Sequence, residues 1–395
     1  MRNLITDVAG IFVGHADDPA GRTGVTVVRA PTGGAHAAVD VRGGGPGTRE
    51  TDALGPAGTV EVAHAVVLAG GSAFGLAAAS GAQDILASRG IGFSVGAARV
   101  PIVPAAVVFE LLNGGARPEA LAHHYATLGA AAAENAFAAD PGTSRLGTVG
   151  AGYGATTARY CGGLGEASTQ TSDGTVVGAL AVVNPVGCVT QNASDPRFWA
   201  SDLEQADEFA SSQWAGDARW SSHAAEVSQQ PPLKGHAVGA RENVGGVHGA
   251  ARADTIGRTN TIVAVVATDA PLGKAQCQRL AIMAQTGLAR AVWPTHTPLD
   301  GDVVFALATG RHDRTQDNSL PGGAHTTRAP DADAPPAVSL HALAELGALA
   351  STTLARAIVR GIVHADPRGE HRPDCASWAH HFGITPPPLT ALSTK

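Results

Sequence analysis

Aromatic residues are scarce in this 395-residue chain: Phe, Trp and Tyr together make up 4% of it, although apolar residues reach 44%. An interior so composed must be built from close-packed Ala, Val, Leu and Ile, which suits layered α/β packing. Basic clusters are lacking too. With a net charge of −7 and Lys and Arg scattered singly, no stripe exists to follow a phosphate backbone or an anionic bilayer, so neither a nucleic-acid nor a membrane partner is expected. The four cysteines, Cys161, Cys188, Cys277 and Cys375, lie far apart without C-x-x-C spacing. Neither a disulfide framework nor a thiolate metal site is expected, and reduced thiols in a cytoplasm fit best. The start, Met1 to Asp7, has no apolar stretch long enough for a signal peptide, and no later run is expected to approach the length of a membrane span. The sixteen histidines show no H-E-x-x-H pattern, so most are expected at the surface and neither a metal nor another cofactor is proposed. No fixed period indicates repeats.

What is present is abundant Gly (50) and Pro (24), spread among strand-like runs, which implies many tight turns. Gly24 to Arg29, Ala37 to Val41 and Ala65 to Ala69 read as strands, and Ser72 opens a small-residue helix running to about Arg89. Val100 to Leu112, interrupted by Pro101 and Pro104, reads as an extended segment turning into a short helix, and Pro118 to Ala139 as helical. After a strand from Val176 to Val183, the chain from about Ser194 to Asn260 turns polar, Gln-rich and Gly-rich, a flexible surface excursion with one short helix at most. Order returns with Thr261 to Ala267 as a buried strand, Ala275 to Val292 as a helix, Val303 to Thr309 as a strand and Val338 to His364 as one or two helices. The residues after about 365 look like a loosely packed tail.

The junction at 260/261 is the organising feature. A polar stretch ending in Asn260 meets a hydroxyl residue that starts a wholly apolar strand. If the Thr261 hydroxyl attacks the preceding carbonyl, the amide becomes an ester and hydrolyses, leaving Thr261 with a free α-amine. Such an amine has a reference pKa of about 7.7 to 8.0 and can accept the proton of its own hydroxyl, so nucleophile and base share one residue. Thr is also a common strand-starting residue.

Asp300 and Asp302 lie two apart in an extended segment and face the same way, where mutual repulsion raises one pKa. The alternatives are a solvated D-G turn or a calcium loop, although too few oxygen ligands follow for an EF-hand. Asn184 ends an apolar strand and precedes Pro185; its amide there is either an oxyanion donor or part of an ordinary Asn-Pro turn. Gly70-Gly71-Ser72-Ala73-Phe74-Gly75 is not a nucleophile elbow, since Phe74 stands where G-x-S-x-G needs Gly. Gly43 to Thr48 lacks the G-K-[ST] ending of a P-loop. Both read as tight packing turns.

Taken together, Asp40 to Asp52, Gly70 to Leu76, Pro101 to Ala106, Gly150-Ala151-Gly152, Asn184-Pro185-Val186-Gly187 and Thr261 to Ala270 resemble one family: the self-processing aminopeptidases that include L-aminopeptidase/D-amide esterase, the β-peptidyl aminopeptidases and the nylon-oligomer (6-aminohexanoate-oligomer) endohydrolases. The resemblance spans most of residues 5 to 360. It implies an α/β fold, an αββα sandwich of the N-terminal-nucleophile-hydrolase kind over residues 1–365, cut into 1–260 and 261–365, with the two chains remaining together in homo-oligomers, commonly tetramers. It implies that Thr261 is the nucleophile, Asn260 the residue before the cut and Asn184 the oxyanion amide. It also implies that Asp300 and Asp302 assist the threonine as in the nylon-oligomer branch. Arg159 falls where that branch has a catalytic-site lysine; Arg keeps the charge but does not give up its proton. Tyr153 is placed along the site. The expected activity is hydrolysis of a small amide, short peptide or oligoamide. Alternatives are an aminopeptidase or D-amide esterase, an acyltransferase of similar architecture, and a non-catalytic uncleaved homologue.

Overall fold

The central strands of this chain, such as β6 (Ala65–Ala69) and β12 (Thr261–Thr268), read as apolar runs because each of its two large sheets is covered on both faces. The computed structural model describes residues 1–140, 144–217, 233–234, 260–310, 338–366 and 375–389. In chain order its strands are β1 (Phe12–Asp18), β2 (Thr23–Arg29), β3 (Ala35–Val41), β4 (Thr48–Arg49), β5 (Val62–Ala63), β6 (Ala65–Ala69), β7 (Phe93–Val95), β8 (Ala98–Val100), β9 (Ala105–Val107), β10 (Gly163–Gln170), β11 (Val176–Asn184), β12 (Thr261–Thr268) and β13 (Val303–Ala308). The α-helices described are α1 (Ala78–Ser88), α2 (Leu121–Ala138), α3 (Lys274–Ala291), α4 (Leu340–Val363) and α5 (Trp378–Phe382). One sheet has the order β1-β2-β6-β9-β4 and the other β10-β11-β12-β13-β3-β5, with β7 and β8 forming a separate ribbon.

Side chains alternate across each strand, so each sheet feeds two cores. Val28, Val66 and Leu68 of the first sheet meet Leu180, Val182, Val263, Val265 and Phe305 of the second. Behind the first sheet, Val25, Val27 and Val67 pack on Ala78, Ala82, Ala132 and Ala136 of α1 and α2. Behind the second, Ala181, Ile262, Ala264 and Val304 pack on Leu280 and Leu288 of α3 and Leu354 and Ile358 of α4. The fold is therefore the αββα sandwich that the resemblance implies. Small side chains let the layers approach closely, which is what a core poor in aromatics requires.

Several expectations are corrected. β1 and β10 escaped the sequence pattern because polar residues interrupt them: His15, Asp17 and Asp18 in β1, Glu166 and Ser168 in β10. The extended segment before Leu112 forms β9 and then turns without a helix, and Ser72–Ala77 is a 3-10 turn ahead of α1. Residues 194–217 do not wander over the surface: Phe198, Phe209 and Trp214 are buried in the core beneath α4, although their spacing has no period. Residues 218–232 and 235–259, also read as excursion, lie outside the described residues. The tail expectation fails for 375–389, where Trp378 is wholly buried against Phe198, ring centroids 4.6 Å apart.

The thiol expectation fails as well. Cys161 and Cys375 form a disulfide across 214 residues of sequence, while Cys188 and Cys277 are free and buried. Spacing along the chain could not show this, because the pair meets only when the tail returns to pair Ala376 with Tyr160, the Cys161 N–H donating to the Ala376 carbonyl at 2.9 Å. Among the described residues one helix, α4, is long and apolar enough by composition to cross a bilayer, and two-thirds of its most apolar window is buried inside the fold.

Candidate active site

β11 and β12 run antiparallel in a register that sets Asn184 directly opposite Thr261. β12 and β13 run parallel, and just ahead of them Asn260 bridges Asp300. By strand parity Thr261 and Asn184 share the inter-sheet face with Val263, Val265, Leu180 and Val182. Two segments distant in sequence are thus brought together at one sheet end, with the lead-in to β13 beside them.

Thr261 and Asn260 are both buried. The Thr261 hydroxyl donates to the Asn260 carbonyl oxygen at 2.5 Å. The Gly301 N–H donates to that same carbonyl at 2.9 Å and lies 3.1 Å from Thr261 Oγ1. Only glycine fits at 301: a Cβ would sit 2.7 Å from the Gly45 carbonyl oxygen and 2.8 Å from Thr261 Oγ1. The glycine-rich loop after β3 backs this segment, with Gly45 N–H donating to the Asp300 carbonyl at 2.8 Å and Arg42 N–H to that of Asp302 at 2.9 Å. A Cβ on Gly43 would strike the Asp302 backbone nitrogen at 2.3 Å. The loop is thus a packing turn that supports the site.

Asp300 and Asp302 are buried and fully engaged. Asp300 accepts from Val186 N–H (3.0 Å) and from the Thr297 N–H (3.0 Å) and hydroxyl (2.6 Å). Asp302 accepts from Ile262 N–H (2.8 Å), the Thr295 hydroxyl (3.1 Å) and His296 N–H (3.0 Å), and its other contact is His296 Nδ1 at 2.8 Å. Among the described residues neither carboxylate bonds the Thr261 hydroxyl in the uncut chain. They clamp the ends of β11 and β12 in place of gripping the nucleophile directly. Burial raises the Asp300 pKa, and the charge of Asp302 raises it further, against the opposing bonds from Thr297 and Val186. His296, one of the histidines expected at the surface, was not legible as a partner of Asp302.

Asn184 is wholly buried. Its Oδ1 accepts from Thr156 N–H and from the Lys234 ammonium, both at 3.0 Å, and its Nδ2 donates to the Phe109 carbonyl at 3.1 Å. Lys234 carries no signal in the sequence, being a lone lysine in a polar stretch. Arg159, expected to supply the site's cation, instead donates to the carbonyl and hydroxyl of Thr190, each at 3.1 Å. Tyr153 lines a cavity of about 440 Å³ with Asp17, Arg145, His364 and Asp366, to which none of Thr261, Asn184, Asp300 and Asp302 contributes. A narrow cleft beside Asn184 is lined by Phe109, Glu110, Leu112, Asn113, Gly154, Thr156 and Lys234. Burial raises the Glu110 pKa; its Oε1 accepts from the Thr23 hydroxyl (2.5 Å) and Gly71 N–H (2.9 Å), which accounts for the Gly70-Gly71 motif as a packing turn.

The sequence profile of peptidase family S58 matches residues 3–372. The chain is 40% identical over 395 aligned residues to an uncharacterized aminopeptidase of Mycobacterium leprae, covering 97% of this chain and 96% of the other. It is 28% identical over 313 residues to a 6-aminohexanoate-oligomer endohydrolase of a Kocuria species, covering 78% and 75% respectively. Among solved structures, an L-aminopeptidase D-Ala-esterase/amidase from Ochrobactrum anthropi, described as a new variant among the Ntn hydrolase fold, superposes with a TM-score of 0.56 at 18% identity, covering 99% of this chain and 95% of that one.

Proposed function

The chain belongs to peptidase family S58, and on that premise we propose that it is a self-processing amide hydrolase whose nucleophile is Thr261. One observation carries the proposal: the Thr261 hydroxyl lies 2.5 Å from the carbonyl oxygen of its own preceding residue, while the Gly301 N–H donates to that oxygen. A hydroxyl against a carbonyl already held by a backbone donor is the arrangement that an N-to-O acyl shift needs.

In the first stage Thr261 Oγ1 attacks the Asn260 carbonyl carbon, and negative charge develops on the oxygen that Gly301 N–H holds. The C–N bond breaks, the nitrogen takes up the hydroxyl proton, and an ester joins Asn260 to Thr261. Water hydrolyses the ester, giving an Asn260 carboxylate and a Thr261 α-amine. In the second stage that amine accepts the hydroxyl proton as Oγ1 attacks a substrate amide. The free hydrogen of the Asn184 amide and the Gly301 N–H are the donors to the new oxyanion. The leaving amine departs protonated, and water releases the acid. Asp300 and Asp302 hold the ends of β11 and β12 through Val186 and Ile262, which keeps hydroxyl and donors in register. The substrates we propose are short peptides or linear oligoamides, the class named for the relatives.

The two products would stay together. β12 of the smaller fragment lies between β11 of the larger and β13. Glu208 pairs with Arg356, and the Cys161–Cys375 disulfide joins the fragments covalently. Intact mass of reduced protein tests the proposal: fragments 1–260 and 261–395 are expected from the wild type, and a single chain without amidase activity from Thr261→Ala. A cut, active Thr261→Ala protein would overturn it.

A further inference from the structure

We propose that Lys234 is a positioning residue for the Asn184 oxyanion amide. The inference rests on the oxyanion role given to Asn184 above. Lys234 is anchored at both ends of its length. Its backbone N–H donates to the Val186 carbonyl at 3.0 Å, on the same Asn184-Pro185-Val186 turn whose Val186 N–H donates to Asp300. Its ammonium donates to Asn184 Oδ1 and to the Thr156 carbonyl, both at 3.0 Å.

Two donors on one atom fix the orientation of the carboxamide, since only its oxygen can accept from both Thr156 N–H and an ammonium. The nitrogen is thereby turned the other way, with one hydrogen on the Phe109 carbonyl and one left to donate. A hydrogen bond from an ionised donor is about twice as strong as a neutral one, and donors in series polarise one another. An ammonium on Oδ1 draws density from Nδ2 and makes its free N–H the stronger donor to an oxyanion.

The Lys234 side chain is buried, and the two oxygens named above are neutral acceptors. Burying an ammonium costs free energy that an apolar side chain of the same length would avoid. Glu110, the other ionisable group lining the same cleft, is engaged by Thr23, Gly71 and Arg117. Arg159 does not substitute, because its guanidinium is committed to Thr190.

The test uses the full chain as wild type, Lys234→Met and Lys234→Arg, with the half-time of processing and the steady-state kinetics of an aminoacyl p-nitroanilide. Lys234→Met is expected to slow processing and to lower kcat by about tenfold or more, part of the 10²–10³ that an oxyanion donor supplies. KM should stay within about twofold and the melting temperature should not fall, while Lys234→Arg should recover part of kcat. Should Lys234→Met fail to fold, Lys234→Gln, which keeps a donor without the charge, is expected to fall between the two. A processed, active wild type whose Met or Gln variant matches its kcat overturns the role of Lys234 alone. A wild type that stays whole and inactive overturns the proposed function, and the role of Lys234 with it.

Discussion

Two buried polar clusters lie at different places on the second sheet, and they are built on opposite rules. Beneath α4, Arg356 pairs with Glu208 and also donates to Asn3 Oδ1 at 2.8 Å and the Ser168 carbonyl at 3.0 Å. Arg360 donates to the carbonyls of Asn3 and Glu166, with Glu208 3.6 Å away. There each buried carboxylate has a guanidinium within reach. At the ends of β11 and β12, two carboxylates stand two residues apart, held by backbone N–H groups, hydroxyls and one histidine. The first cluster offsets buried charge with opposite charge. The second tolerates like charge, which hydrogen bonds hold in place, and that is the signature of a site more than of a scaffold.

The sharpest way to break the comparison is at Gly301, where a methyl group meets Thr261 Oγ1 and the Gly45 carbonyl. Gly301→Ala is expected to slow processing by about a hundredfold or more, read as uncut chain by mass, and to lower stability by forcing the Gly45 backbone aside, while the α4 cluster stays nearly as it was. Arg356→Met should do the reverse. It leaves Glu208 buried without its main partner and should lose about 3–5 kcal/mol, measured by urea unfolding in a Thr261→Ala background where cutting does not intervene. Processing of the folded fraction should keep its wild-type rate.

The disulfide gives a smaller effect that separates covalent from non-covalent association. Processed wild type should run as one species without reductant, heavier than the uncut chain by one water, and as two with reductant. Cys375→Ser should give two species in both conditions, still co-eluting on a sizing column, with a stability loss of about 2–4 kcal/mol. The smallest effect concerns Asp300. Its folded pKa is raised, so the folded state favours the protonated form: the contribution of this group is most favourable below the unfolded value of 3.8, is lost as pH rises through the folded value, and is constant above it. In the Thr261→Ala background the stability of Asp300→Asn relative to its parent should therefore improve with rising pH across that window and level off beyond. A difference that is flat with pH would mean that Asp302 and burial do not act on Asp300 as described.

Legibility in the sequence followed local pattern. β6, β11, β12, β13 and α3 were readable because each is a continuous apolar run or a regular amphipathic one, whereas β1 and β10 were hidden by buried polar residues such as Glu166, which accepts from Ile5 N–H at 3.0 Å. Of the candidate residues, Asn184, Asn260, Thr261, Asp300 and Asp302 come together at one sheet end, because the cross-strand register aligns them. Arg159 and Tyr153 do not join them. The Arg159 assignment depended on its distance along the chain from Gly150-Ala151-Gly152, and such spacing fixes no direction for a side chain.

By itself the sequence determined the periodicity of most strands and helices, a small-residue core suited to close layers, and a hydroxyl residue at the start of a buried strand. Those properties are local, set by which neighbours along the chain are apolar, and they survive in a linear reading. The tertiary structure alone decided that Gly301 N–H reaches the Asn260 carbonyl, that His296 meets Asp302, that Lys234 meets Asn184, and that Cys161 meets Cys375. Each of these depends on a backbone group that has no letter in the sequence, or on two residues that only the closing of the sheets brings within hydrogen-bonding or covalent reach.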